Sequence, residues 1–258
     1  MEDLMAAKKS KQTDFQFRWM LTKFFMQLAV IAAIANFAYQ LYRKPTEMVS
    51  FFSFLHHKTP TQTWSAYRNY FNDASTDKLP AEFLAALAQN ESSGNPWASP
   101  PWRFRFTTNV AEIYRPASTA VGLYQFLDET FRNVAGPCLG DNTFSLEQCH
   151  RYGSVSSRLS AQSSTQFAAG YLDRELRAVI AATRLKTTPQ RELALAAVIH
   201  LCGKGKGMQF ARTGLSWDKL GPCGSHSPQL YAQRILAMQA TFQRLRMLDT
   251  RREIASTR

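Results

Sequence analysis

Cysteine is absent from the first 137 residues of this 258-residue chain, and Cys138, Cys149, Cys202 and Cys223 show no C-x-x-C or similar metal-ligand spacing, so a zinc site is not expected. Acidic residues are also scarce: 19 Asp and Glu stand against 31 Lys and Arg, a formal net charge of +12. Such an excess favours a polyanionic neighbour, whether nucleic acid, anionic lipid or an acidic wall polymer. The basic residues are scattered, with clusters only at the two ends, and no zinc-finger or recognition-helix pattern accompanies them, which argues against nucleic acid. Internal repeats are lacking too. The glycine alternation from Gly203 to Gly207 has neither a preceding strand nor the GK[ST] ending of a phosphate loop. With 45% hydrophobic residues the chain is not disordered, and its length suffices for one large domain or two small ones.

Only one long apolar run is present. Lys8, Lys9, Lys11, Arg18 and Lys23 precede the stretch from Phe24 to Tyr42, and Arg43, Lys44 and Pro45 close it. As a helix this run of about 19 residues measures about 28 Å, close to the hydrocarbon thickness of a bilayer. The basic flank predicts a cytoplasmic N-terminus, and Tyr39 and Tyr42 suit an interfacial belt. That is a signal-anchor pattern. Ala33-Ile34-Ala35 also has the small-x-small form of a cleavage site, so a cleaved signal peptide is the main alternative and a buried soluble helix the third. Either export reading places the cysteines where disulfides persist. Of the three possible connectivities, Cys138–Cys149 and Cys202–Cys223 are expected, because each pair brackets a turn-rich loop. The adjacent His56 and His57 point to opposite sides of a helix or strand and make a poor metal site, so solvent exposure is expected.

Residues 43–77 read as a spacer followed by a short helix with Trp64, Tyr67, Arg68 and Phe71 on one face. Pro80 then opens a helix with no breaker from Ala81 to Glu91. Leu84, Leu87, Ala88 and Glu91 form one stripe, which turns Glu91 inward, and Ser92 to Pro96 stop the helix one residue later. An interior position and a helix C-terminus both disfavour negative charge. A carboxylic acid kept protonated near neutral pH is what general-acid cleavage of a glycosidic bond requires. A surface glutamate at a frayed helix end fits the same residues.

Glu91-Ser92-Ser93-Gly94-Asn95, followed by Gly122-Leu123-Tyr124-Gln125-Phe126, resembles the soluble-lytic-transglycosylase (SLT) superfamily of lysozyme-like peptidoglycan-cleaving enzymes, whose motifs read Glu-Ser-x-x-Asn and Gly-Leu-x-Gln. Gln166 to Leu172 and Tyr231 to Leu236 fit the same ordered pattern, so the resemblance runs from Lys78 to Leu245. It implies a mostly α, lysozyme-like domain over residues 78–246, and the charge and hydropathy pattern puts a basic cytoplasmic segment 1–23 and a transmembrane anchor 24–42 before it and a basic tail 247–258 after it. It further implies Glu91 as the catalytic acid and base and peptidoglycan glycan strands as the partner. Ser92, Asn95, Gly122, Tyr124, Gln125 and Tyr231 would contact substrate, and no metal or cofactor would be needed. His200-Leu201-Cys202-Gly203-Lys204-Gly205 stands where the superfamily has Tyr-Asn-Ala-Gly-x-Gly; the glycines are kept and the Tyr-Asn pair is not, leaving His200 as a candidate substitute. The implied reaction is non-hydrolytic cleavage of the MurNAc–GlcNAc β-1,4 bond with a 1,6-anhydro end. A hydrolytic muramidase and an inactive wall-binding or assembly protein are the alternatives. An inner-membrane protein with a periplasmic catalytic domain would suit local opening of the wall for a secretion or conjugation apparatus.

The segment from Trp97 to Arg115 alternates aromatic and basic residues. Stacking on sugars is one reading, with Arg103 and Arg105 meeting carboxylates; packing of a half-buried strand into the core is the other. Glu112 reads as a solvated acid. Gly122 would let backbone approach a ligand, and Gln125 offers a donor and an acceptor. Asp128 is read as a helix cap. Further on, Ser163 and Gln166 read as a capping box, Thr188-Pro189 and Ser227-Pro228 as helix starts, Gly203 as a helix end, and Thr250 to Arg258 as a frayed tail.

Overall fold

A computed structural model of the chain describes residues 2–43, 57–109, 113–135 and 158–256. Cys138, Cys149, Glu112 and His56, with the expected Cys138–Cys149 bond, lie outside them. His57 is exposed. The described residues are mostly α-helical, with one short antiparallel pair of strands. They form two compact units: the N-terminal helix with Pro101–Ala117, and the remainder of the chain.

In the first unit, α1 runs unbroken from Glu2 to Arg43. The stretch Phe15–Tyr42 is long and apolar enough to cross a membrane, and none of its most apolar window is buried. Strands β1 (Trp102–Phe104) and β2 (Tyr114–Pro116) pair antiparallel, with Phe104 opposite Tyr114 and Trp102 opposite Pro116. The aromatics of this segment do not join a core, since Trp97, Phe104 and Phe106 are all exposed.

The second unit is a helical bundle. Helix α2 (Pro60–Ala74) begins at a capping box in which Thr59 and Gln62 satisfy each other's backbone N–H groups. It buries Trp64 and Phe71, while Arg68 turns outward to Asp249 at 3.1 Å. Helix α3 (Ala81–Ser92) is buried on every side from Ala81 to Ala88 rather than along one stripe. A helix surrounded by others has no solvent face to leave polar. Its one early acid, Glu82, is buried against Arg246 at 2.8 Å.

Helix α3 packs against α2, α5 (Ala161–Thr183) and α7 (Pro228–Ser256), and α6 (Pro189–Arg212) packs in turn on α5 and α7; the short α4 (Asp128–Ala135) precedes α5 in the chain. Three local expectations change. The cap of α5 is Ser160, which accepts from the Ser163 N–H, so the helix starts one turn earlier than Ser163-x-x-Gln166 implied. Gly203, at φ 79°, ends the first helical half, but a second half resumes directly beyond this kink and brings Gly207 against Ile199. The final helix continues through Ser256 without fraying at Thr250: Asp249 accepts from Trp64 Nε1 at 2.8 Å, pinning its last turns to α2.

Candidate active site

The last turn of α3 carries Glu91, and the helix ends one residue later, at Ser92, because Ser93 adopts the left-handed conformation at φ 51°. A cavity of about 590 Å³ opens beside it, lined among others by Glu91, Gln125, Tyr171, His200, Cys202 and His226. Among the described residues Glu91 is the one acid lining it.

Three side chains converge on the Glu91 carboxyl. The Tyr231 hydroxyl donates to Oε1 at 2.5 Å, Asn90 Nδ2 donates to the same oxygen at 3.3 Å, and His200 Nε2 lies 3.9 Å from it. Tyr231 comes from the first turn of α7 and His200 from α6, just before the Gly203 kink. Their rings stack nearly parallel at 6.4 Å, and Phe126 meets His200 edge-on at 5.0 Å. Burial first, then the Glu91 charge and hydrogen bond, hold the Tyr231 hydroxyl well above the usual tyrosine range, so it remains a donor. Burial also pushes His200 below the usual histidine range, against the opposing pull of Glu91 and of the Tyr124 backbone. Its Nδ1 is buried without a hydrogen-bond partner in the protein. A neutral imidazole at neutral pH follows.

The loop Val121–Phe126 forms the facing wall. Gln125 lines the cavity in a left-handed conformation, φ 51°, with Nε2 donating to Ala98 O at 3.0 Å and Gly122 O at 2.9 Å. Both amide hydrogens are thus committed, and the side chain can offer a ligand only its carbonyl oxygen, not the donor and acceptor together. Gly122, at φ 82°, is required by the chain itself: an added Cβ would sit 2.0 Å from the Arg158 carbonyl oxygen. Its approach is therefore to protein backbone rather than to a ligand.

Ser92, Asn95 and Tyr124 are buried and engaged internally. Ser92 Oγ donates to Leu123 O at 2.8 Å, linking the end of α3 to the facing loop. Asn95 Oδ1 accepts from the Trp97 N–H at 2.9 Å, and the Tyr124 hydroxyl reaches Thr165 at 3.3 Å. Glu91, Gln125 and His200 line the cavity and Tyr231 reaches it through Glu91, whereas Ser92, Asn95, Gly122 and Tyr124 shape the walls from behind.

Two contributors escaped the sequence reading. Arg158 is buried, donates to Thr119 O and Phe126 O, and pairs with Asp128 at 3.2 Å, so it clamps the whole loop and the start of α4. It belongs to no motif, and nothing in the neighbouring sequence marks it. His226 lines the cavity from a tight turn in which it exchanges two backbone hydrogen bonds with Cys223, each 3.0 Å. The disulfide Cys202–Cys223 joins that turn to the Gly203 kink, as the sequence led us to expect.

The transglycosylase SLT domain family matches residues 68–197, half of the chain, a span that includes Glu91 and Gln125 and stops just short of His200. No curated protein and no solved structure matches the chain.

Proposed function

Because this chain belongs to the transglycosylase SLT domain family, we propose that it is a lytic transglycosylase that cleaves the MurNAc–GlcNAc β-1,4 bond of peptidoglycan, with Glu91 as both acid and base. The observation that carries this reading is the Tyr231–Glu91 hydrogen bond at the wall of a cavity that holds a single described acid. Glu91 in its acid form protonates the glycosidic oxygen as the C1–O bond breaks. The muramyl 2-acetamido group assists at C1, which accounts for one carboxylate where most glycosidases use two. The muramyl 6-hydroxyl then attacks C1 and returns its proton to the Glu91 carboxylate, giving a 1,6-anhydro end without consuming water.

The protein supplies the setting. Tyr231 donates to one carboxylate oxygen, orienting the carboxyl and stabilising its charge after proton transfer. Neutral His200 and the Gln125 carbonyl oxygen, both lining the cavity, bind hydroxyl or acetamido N–H groups in this reading, with His200 standing in for the superfamily's Tyr-Asn pair. Ser92, Asn95, Gly122 and Tyr124 act by shaping the walls. We assign residues 78–246 to the catalytic domain and α1 to a single-pass inner-membrane anchor that leaves this domain in the periplasm. A tethered wall-cleaving domain suits local opening of the wall for an envelope-spanning secretion or conjugation apparatus.

Digestion of purified peptidoglycan tests the reaction. Mass analysis is expected to show muropeptides lighter by one water than hydrolytic products, and Glu91→Gln is expected to abolish them while the variant still folds and binds the wall. Reducing ends alone would assign a hydrolytic muramidase, and no release at all would assign a wall-binding protein.

A further inference from the structure

The ribbon between Pro101 and Ala117 takes no part in the cavity beside Glu91. Its residues alternate: Trp102, Phe104 and Phe106 occupy every second position, with Pro116 and Tyr114 opposite the first two, whereas Arg103 and Arg105 fall between them, with Arg115 opposite Arg103. Successive side chains of a strand point to opposite faces. Within β1 and β2 one face is therefore apolar and mainly aromatic and the other basic, and Arg105 extends the pairing by donating its N–H to Ile113 O at 2.7 Å. The aromatic face is knit together, with Tyr114 at 5.2 Å from Trp102 and 4.6 Å from Phe104, ring to ring, and it continues onto α1 through Phe37, 6.3 Å from Trp102. Ala33, Phe37, Phe104, Ile113 and Tyr114 line one shared apolar groove of about 510 Å³. Even so, Phe104 is 78% exposed and Phe106 fully so. A two-stranded ribbon with bare aromatics is marginal in water and calls for a further cover.

The position of the ribbon on α1 indicates what covers it. Phe37 precedes Tyr42, the end of the apolar stretch, by about 8 Å along the helix axis. Amphipathic elements seat about 5–10 Å into the boundary between headgroups and acyl chains, and Trp, Tyr and Arg favour that layer. A two-stranded ribbon has two outer backbone edges, which suit the boundary rather than the hydrocarbon, where open edges are not tolerated.

Resting on the reading of α1 as a membrane anchor, we propose that the pair of strands β1 and β2, with Arg105 and Phe106 beyond β1, is a second membrane contact: it lies in the boundary layer of an anionic bilayer beside α1, with Phe104 and Phe106 among the acyl chains and Arg103 and Arg105 on headgroup phosphates. The catalytic unit is spliced to this ribbon at both Pro100 and Ser118, so membrane contact here restrains it through two chain connections besides the one that follows α1.

The full chain, reconstituted into phosphatidylcholine vesicles with or without phosphatidylglycerol, tests this with a benzoylphenylalanine photo-crosslinker placed singly at positions 28, 104, 106 and 230; Leu28 and Leu230 are exposed on α1 and α7. Lipid adducts are expected at 28, 104 and 106, with 104 and 106 several-fold above 230. The yield at 104 and 106 should fall several-fold without phosphatidylglycerol or in Arg103→Gln/Arg105→Gln. Adducts at 28 but not at 104 or 106 would overturn the ribbon contact and leave the anchor standing, whereas none at 28 would remove the anchor and the proposal together. Adducts at 104 or 106 to glycan or protein in place of lipid would also overturn it, and yields indifferent to phosphatidylglycerol would remove the role given to the arginines.

Discussion

The Tyr231 hydroxyl, at the start of the last helix, donates to Glu91 Oε1 at 2.5 Å across 140 residues of sequence. This bond joins two helices that pack extensively on each other and places a buried donor against the one described acid of the cavity.

Removing that donor should slow the reaction without unfolding the domain. A hydrogen bond to a charged group contributes about 1.5–3 kcal/mol, so Tyr231→Phe is expected to lower kcat by about 10- to 100-fold. Muropeptide release under saturating peptidoglycan reads the rate, and an unchanged circular dichroism spectrum shows that the fold persists. A rate equal to that of the unmodified protein would rule out a part for this bond in the reaction.

Stability should depend on pH through His200. Burial depresses its folded pKa below the unfolded value, about 6.5. Between those two values the unfolded chain binds the proton that the folded one excludes, so the contribution is complete above the unfolded pKa and is lost as pH falls below it. Tm should therefore drop on acidification from pH 7 to 5, and His200→Phe, which keeps a ring against Phe126 and Tyr231, should flatten that slope. Parallel slopes in the two proteins would remove His200 as the cause.

Breaking the Cys202–Cys223 bond should cost stability. The bridged residues are 21 apart in sequence, and closing a loop of that size restrains the unfolded chain by about 3 kcal/mol. Urea unfolding of Cys202→Ser/Cys223→Ser is expected to show a loss of that order. Activity should also fall, because the bond holds the His226 turn at the cavity mouth.

Gly122 should not tolerate a side chain. Left-handed backbone alone costs a non-glycine residue about 1–3 kcal/mol, and a Cβ 2.0 Å from the Arg158 carbonyl adds a clash with backbone that cannot rotate away. Gly122→Ala should lower the urea midpoint markedly. Arg158→Ala should act on the same loop from the other side by removing the guanidinium from which Thr119 O and Phe126 O accept, and should raise KM more than it lowers kcat, because the loop carries Gln125.

Much of this site was legible in sequence because its signals are local. Glu91 could be placed in the last turn of a helix from Pro80 and the run Ser92 to Pro96 alone, since caps and breakers act within a few residues. The ordered motifs located the facing loop for the same reason. Arg158 was not legible, because a buried cation clamping three groups near residues 119–128 leaves no periodic trace. Nor was the depth of α3, whose apolar stripe gave no hint that its other faces would also be covered.

By itself the sequence marked the starts of α3, α6 and α7, the apolar segment long enough to cross a membrane and the place of Glu91 in the last turn of α3, because each rests on short-range sterics or hydrophobic run length. Only the tertiary structure decided that Tyr231 and His200 meet at Glu91, that Gly122 serves Arg158, and that the aromatic ribbon lies against α1 rather than in a core. Those relationships join residues far apart in the chain, and their partners are chosen by packing geometry, which no local pattern encodes.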